Sequence, residues 1–179
     1  MPLYERTELM RAYLSQVLPG LLQTRGYAVA LLRGIAAGHQ LIDDVEAAAD
    51  ARVARAAVLM KPGHRFAFVV EEAVLRYQLG GPDVMAAQME HLLTTMSFPS
   101  VSLGVVPTGI IRSAHVPHNF TVFDDTQVSV ELVTASITVT APGEIARYVR
   151  EFGRLADMAV YGARARELIA KALTAYQRR

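Results

Sequence analysis

The apolar run Phe66-Ala67-Phe68-Val69-Val70, followed without interruption by Glu71 and Glu72, constrains this chain more than any other feature. Its aromatic and β-branched residues suit a pleated, largely buried strand. The spacing then predicts a short helix over 73–79 and a break at Gly80-Gly81-Pro82. A second helix follows over 83–94, where Val84, Met85, Met89, Leu92 and Leu93 recur at helical intervals. A strand therefore hands two carboxylates to the start of a helix, where the partial positive charge of the N-terminus favours their ionised form. That position suits a functional acid, and it suits an ordinary capping carboxylate just as well.

With 179 residues, 52% of them apolar and 20% charged, the chain can bury a full core in one globular domain. A net charge of +1 gives no electrostatic case for nucleic acid. The one basic cluster, Gln177-Arg178-Arg179, reads as a solvated tail. Cysteine is absent, which excludes disulfides and thiolate metal sites. The start, MPLYERTELM, carries an acid and no long apolar core, unlike a signal peptide. No apolar run approaches the length of a membrane span. These features predict a cytoplasmic protein without nucleic-acid or membrane partners.

In chain order, helices are expected over 3–17, 27–37 and 43–60, the last capped by Asp43 or Asp44 and ended by Lys61-Pro62-Gly63. Alternation of Val101, Leu103 and Val105 with Ser102 and Gly104 predicts a strand over 101–106. Segments 119–123 and 127–133 form a hairpin about Asp124-Asp125-Thr126, and 137–140 adds a short strand. Helices over 144–159 and 164–176 close the chain. The parts are thus N-terminal helices (3–60), a central strand and helices (66–94), a hairpin-rich sheet (101–140) and C-terminal helices (144–176). Strands grouped into hairpins argue for one α+β domain with a mainly antiparallel sheet packed with helices.

Several segments together resemble a known family: PGLLQT with Tyr27-Ala28, AAADARVARAAVL, EEAVLRYQLGGPDVMAAQMEHLL, VSLGVVP, NFTVFDD with VSVE, and 144–155. In this order and at these intervals they are similar to the domain of unknown function 5753, which follows the helix-turn-helix in many actinobacterial XRE-type regulators. The resemblance spans nearly the whole chain. Two departures stand out. Only residues 1–18 precede PGLLQT, so DNA reading by the regulators' own domain is not expected. Where the family has a glycine-rich segment with one histidine, this chain has Ser113-Ala114-His115-Val116-Pro117-His118, stiffer and with two imidazoles. Standalone relatives resemble cofactor-free cyclases of polyketide pathways, which close a ring by dehydration and Michael-type addition. The resemblance therefore implies acid–base chemistry on an apolar small molecule, with no cofactor.

Such chemistry needs a base, an acid and an apolar cavity. His115 and His118 suit proton transfer near neutral pH and sit in a proline-stiffened loop, although exposed loop histidines fit the same text. In segment 127–133 Ser129 and Glu131 share the face opposite Val128, Val130 and Leu132; on the neighbouring strand Asn119 and Thr121 share one face with Phe123. If the hairpin aligns these sets, Asn119, Thr121, Ser129 and Glu131 form a polar strip. Covered by helices, it is a binding site; facing water, it is the wet side of a sheet. Glu72 approaches the apolar layer with Arg76, one turn on, as its ion-pair partner, a pair that serves structure as readily as function. Tyr77 is a hydroxyl donor or a packing residue. Met85, with Met60, Met89 and Met96, lines an adaptable pocket or fills the core. His39, His64 and His91 are scattered, so no metal site is expected.

Two functions follow. One is a cofactor-independent cyclase, of lyase or isomerase type, with His118 or His115 and Glu131 as acid and base and Glu72 in support. The other is a non-catalytic effector-binding or protein-interaction module derived from a regulator. An apolar helix face at Tyr148, Phe152 and Leu155 makes a homodimer worth testing.

Overall fold

The computed structural model describes residues 3–39, 44–132 and 135–178. Its centre is a six-stranded sheet made of β1 (Leu9–Leu14), β2 (Arg65–Glu71), β3 (Val101–Val106), β4 (Phe120–Phe123), β5 (Gln127–Glu131) and β6 (Ser136–Val139), in the order β3-β2-β1-β4-β5-β6. Around it lie α1 (Leu3–Arg6), α2 (Arg25–His39), α3 (Val45–Arg55), α4 (Pro82–Thr95), α5 (Pro142–Met158) and α6 (Gly162–Gln177). The fold is α+β, and three of the five strand pairings are antiparallel. The two parallel pairings, β1 with β2 and β2 with β3, are those whose connections carry helices, as parallel crossovers require.

The expected helix over 3–17 is replaced by the single turn α1 and strand β1. That strand is the sheet's central ladder, parallel to β2 on one side and antiparallel to β4 on the other. Met10 and Ala12 are buried on one face and Tyr13 on the other, so both faces need apolar residues and the period-two signature is lost. A short helix is marginal on its own, and pairing with two neighbours outweighs it. The helix expected over 73–79 shrinks to a 3-10 turn, Glu72–Leu75. The other elements lie close to where the spacing puts them. Asp44 caps α3, accepting from the Ala47 N–H at 2.9 Å.

The sheet separates two cores. On one side Met10, Phe66, Phe68 and Leu103 pack with α4 and α6 through Met85, Met89, Leu92 and Ile169. On the other, Tyr13, Phe120, Val122 and Val128 pack with α5 through Ile145, Phe152 and Leu155. Full burial of one such side chain contributes roughly 1.5–3 kcal/mol. The α5 face expected to serve a dimer is therefore spent on this second core. Among the described residues no helix is long and apolar enough to cross a membrane.

Candidate ligand-binding site

The polar strip exists, and helices wall its inner part: Asn119, Thr121 and Ser129 are half-buried, whereas Glu131 is exposed. Thr121 stands opposite Ser129, and Ser129 opposite Thr138, while Ala12 of β1 flanks Thr121 from the other side. These side chains are short, so the helices bridging this half of the sheet cannot close down on it. A cavity of about 280 Å³ remains. Its floor is Asn119, Thr121, Phe123, Ser129 and Glu131; its walls come from the segment after β1 (Val17, Leu18, Leu21), from α2 (Leu31, Ile35) and from α3 (Arg52, Arg55), with Tyr4 of α1. The volume equals that of about nine liquid waters, or a small organic molecule of that bulk.

Its electrostatics are set by three charges and a phenol. Arg52 donates from Nη1 to Gln23 Oε1 at 3.2 Å, and Gln23 Nε2 donates to the Leu18 carbonyl at 2.8 Å. Gln23 is 2% exposed, so the segment Leu21-Leu22-Gln23 fixes the guanidinium from behind. Burial pulls the Arg52 pKa down, the Glu131 charge pushes it up, and Arg55 pulls it down again. An arginine remains cationic throughout. Burial raises the pKa of Tyr4, opposed by Arg55 and assisted by Glu131. Arg52 and Glu131 thus sense each other across the cavity without forming an ion pair. Among the described residues, Arg55 and Glu131 have no hydrogen-bond or ion-pair partner.

The other expected site residues lie elsewhere. His118 projects to the opposite side of the sheet, where Nε2 is 3.2 Å from the Tyr148 hydroxyl of α5 and the ring packs edge-on to Phe120. The cause is the strand's alternation: Phe120 and Val122 belong to the α5 core and carry the preceding loop with them. His115 is exposed on that loop. The loop is pinned there by Arg112, which binds Glu71 through Nη1 at 2.9 Å and Nη2 at 2.7 Å, and by Arg154, which donates to the Ser113 carbonyl. Glu71 also accepts from the Tyr13 hydroxyl at 2.7 Å, and burial together with this bond raises the Tyr13 pKa strongly.

Glu72 faces away from the cavity and holds the end of β3, accepting from Thr108 N at 2.8 Å and Oγ1 at 3.0 Å. Its expected partner Arg76 stands at 4.0 Å, half exposed. Tyr77 is 59% exposed, not packed in the core, and does not line the cavity. Met85 is fully buried in the core under α4 and does not line this cavity; Met60 is exposed. Asn119 does line the cavity, but its Oδ1 is engaged by the Ser15 N–H at 2.9 Å. Sequence reasoning thus located the floor and missed the walls. The signal for the walls was Arg52-x-x-Arg55, one turn apart on a helix read for its cap and for its apolar positions Val45, Ala49, Val53 and Val58.

A second hollow, between α2 and the start of α4, has Arg25, Arg33 and Glu46 on its rim. Those groups pair among themselves and with Asp50, at 2.6–2.8 Å, and leave nothing for a ligand.

The cavity joins a polar sheet floor to helix walls within an α+β domain. The chain belongs to the family described as Domain of unknown function (DUF5753), whose model matches residues 4–171. No curated protein and no solved structure matches it.

Proposed function

We propose that this domain is a non-catalytic module that binds a small organic molecule reversibly in the cavity between β4–β5 and the α2–α3 helices. The observation that carries the reading is the pairing of a half-buried polar floor, Thr121 and Ser129, with two guanidinium groups at the wall, of which Arg52 bonds only Gln23 and Arg55 has no hydrogen-bond or ion-pair partner among the described residues. A merely solvated sheet face would have no helix walls. A structural ion-pair network would have its charges in contact. By resemblance, the module corresponds to the effector domain of XRE-type regulators, with binding read out through whatever it is joined to or associates with.

The cyclase reading is the second. It expected an imidazole beside Glu131, and His118 instead bonds Tyr148 across the sheet, so ring closure would depend on Glu131 as base and the Tyr4 hydroxyl as acid. What favours it is that these two groups share the cavity with Thr121 and Ser129. Both readings are tested by equilibrating the purified protein with the small-molecule fraction of its host's extract and identifying what co-purifies by mass spectrometry. Recovery of an unchanged compound by the wild type, and its loss in Ser129→Trp, is the expected result. A recovered product that differs from the compound in the extract, and reverts to it in Glu131→Gln, would replace the module by an enzyme. Equal recovery by wild type and Ser129→Trp would remove the cavity from both accounts.

A further inference from the structure

The cavity's unused groups specify what it takes. Each guanidinium carries five N–H donors. Arg52 commits one donor to Gln23, and Arg55 commits none among the described residues. Arg52 is partly buried and Arg55 exposed; the two cations repel one another, and Glu131 is too distant to neutralise either by contact. Together the three charges leave a net +1, which one anion inside the cavity would cancel. Guanidinium forks match the geometry of a carboxylate and form charge-assisted bonds to it. Glu131 accepts, so it calls for a hydroxyl donor, with Ser129 and Thr121 beside it. Most of the rest of the lining is apolar, with Leu14, Leu21, Leu31 and Ile35 beside Phe120 and Phe123.

Resting on the ligand-binding reading above, we infer that the cavity selects monoanionic organic acids with a short apolar body and a hydroxyl group. Arg52 and Arg55 take the anionic head, and Glu131 takes the donor. Gln23 is a positioning residue that holds Arg52 towards the head.

The test is calorimetric titration of the purified protein with 3-hydroxyoctanoate, its methyl ester and octanoate, and with 4-hydroxyphenylacetate and its methyl ester. The acids should bind about ten- to a hundredfold more tightly than their esters, the range expected for bonds to charged groups. Arg55→Met should bring each acid down to the affinity of its ester. Glu131→Gln should strengthen octanoate, by removing a negative charge from the cavity, and narrow or abolish the advantage of 3-hydroxyoctanoate over octanoate. Should a variant fail to fold, added salt serves on the wild type: it should weaken the acids and spare the esters. Esters that match acids, with both lost in Ser129→Trp, would overturn the assignment of ligand class while leaving the binding module standing. Failure of all five probes would also overturn it if the extract experiment yields a ligand. If neither experiment yields one, both readings fall together.

Discussion

Gln88 is wholly buried in α4, and its carboxamide is used at both ends. Nε2 donates to the Leu22 carbonyl at 2.7 Å, while Oε1 accepts from the Thr24 N–H at 2.7 Å and from its hydroxyl at 3.1 Å. The two most specific motifs of the sequence, PGLLQT and the glycine pair followed by Val84-Met85 and Gln88, are thus one physical contact. It holds the segment that carries Gln23, and through Gln23 it holds Arg52. Gln88→Leu keeps the volume and orphans two backbone groups, at about 1–3 kcal/mol for each. Urea unfolding should show a loss of about 2–6 kcal/mol by that reckoning, without loss of secondary structure in circular dichroism. The glycine pair was legible as a break, and Gly80, at φ 75°, shows why: a Cβ there would sit 3.2 Å from both Ala30 and Val84 in a left-handed backbone. The partner of Gln88 was not legible, because nothing in a helix's own spacing names the loop its polar residue will meet.

At the scale of elements, the helices were read well because their signals are local. α3 shows its cap at Asp44, and α4 begins on Pro82 after Gly81. β1 was misread because a central strand with apolar demand on both faces carries no strand period. α4 also makes a pH prediction. Burial lowers the pKa of His91 below its ordinary value. The folded chain therefore takes up that proton later than the unfolded chain as pH falls. The His91 contribution is intact above the unfolded pKa, near 6.5, and declines as pH drops from there through the folded value. Urea melts at about pH 7.5 and about pH 5.5 should show a smaller acid loss in His91→Gln than in the wild type, and an unchanged difference between the two proteins would refute the sign.

Across the whole molecule, the two ends of the sheet are treated differently. The outer edge of β3 is closed by Val160, which exchanges backbone bonds with Val105 at 3.0 and 2.8 Å. The half formed by β4 and β5 gives up tight packing on one face, where Thr121 and Ser129 stand in place of larger apolar residues. An unfilled volume is a stability cost that a domain with no ligand would not need. Ser129→Leu should fill part of it and raise stability by about 0.5–2 kcal/mol, seen as a higher melting temperature. The same change should abolish binding of whatever the wild type retains. A variant that binds normally would show that the cavity is incidental.

The sequence by itself determined the class of fold, most helix positions, the hairpin and its polar strip, because propensity, capping and alternation are properties of neighbouring residues. Only the tertiary structure decided that the strip would be walled by helices, that Arg52 and Arg55 would face it, and that His118 would lie on the far side with Tyr148. Those outcomes depend on which elements pack over which face of the sheet, and that is settled by contacts between residues far apart in the chain.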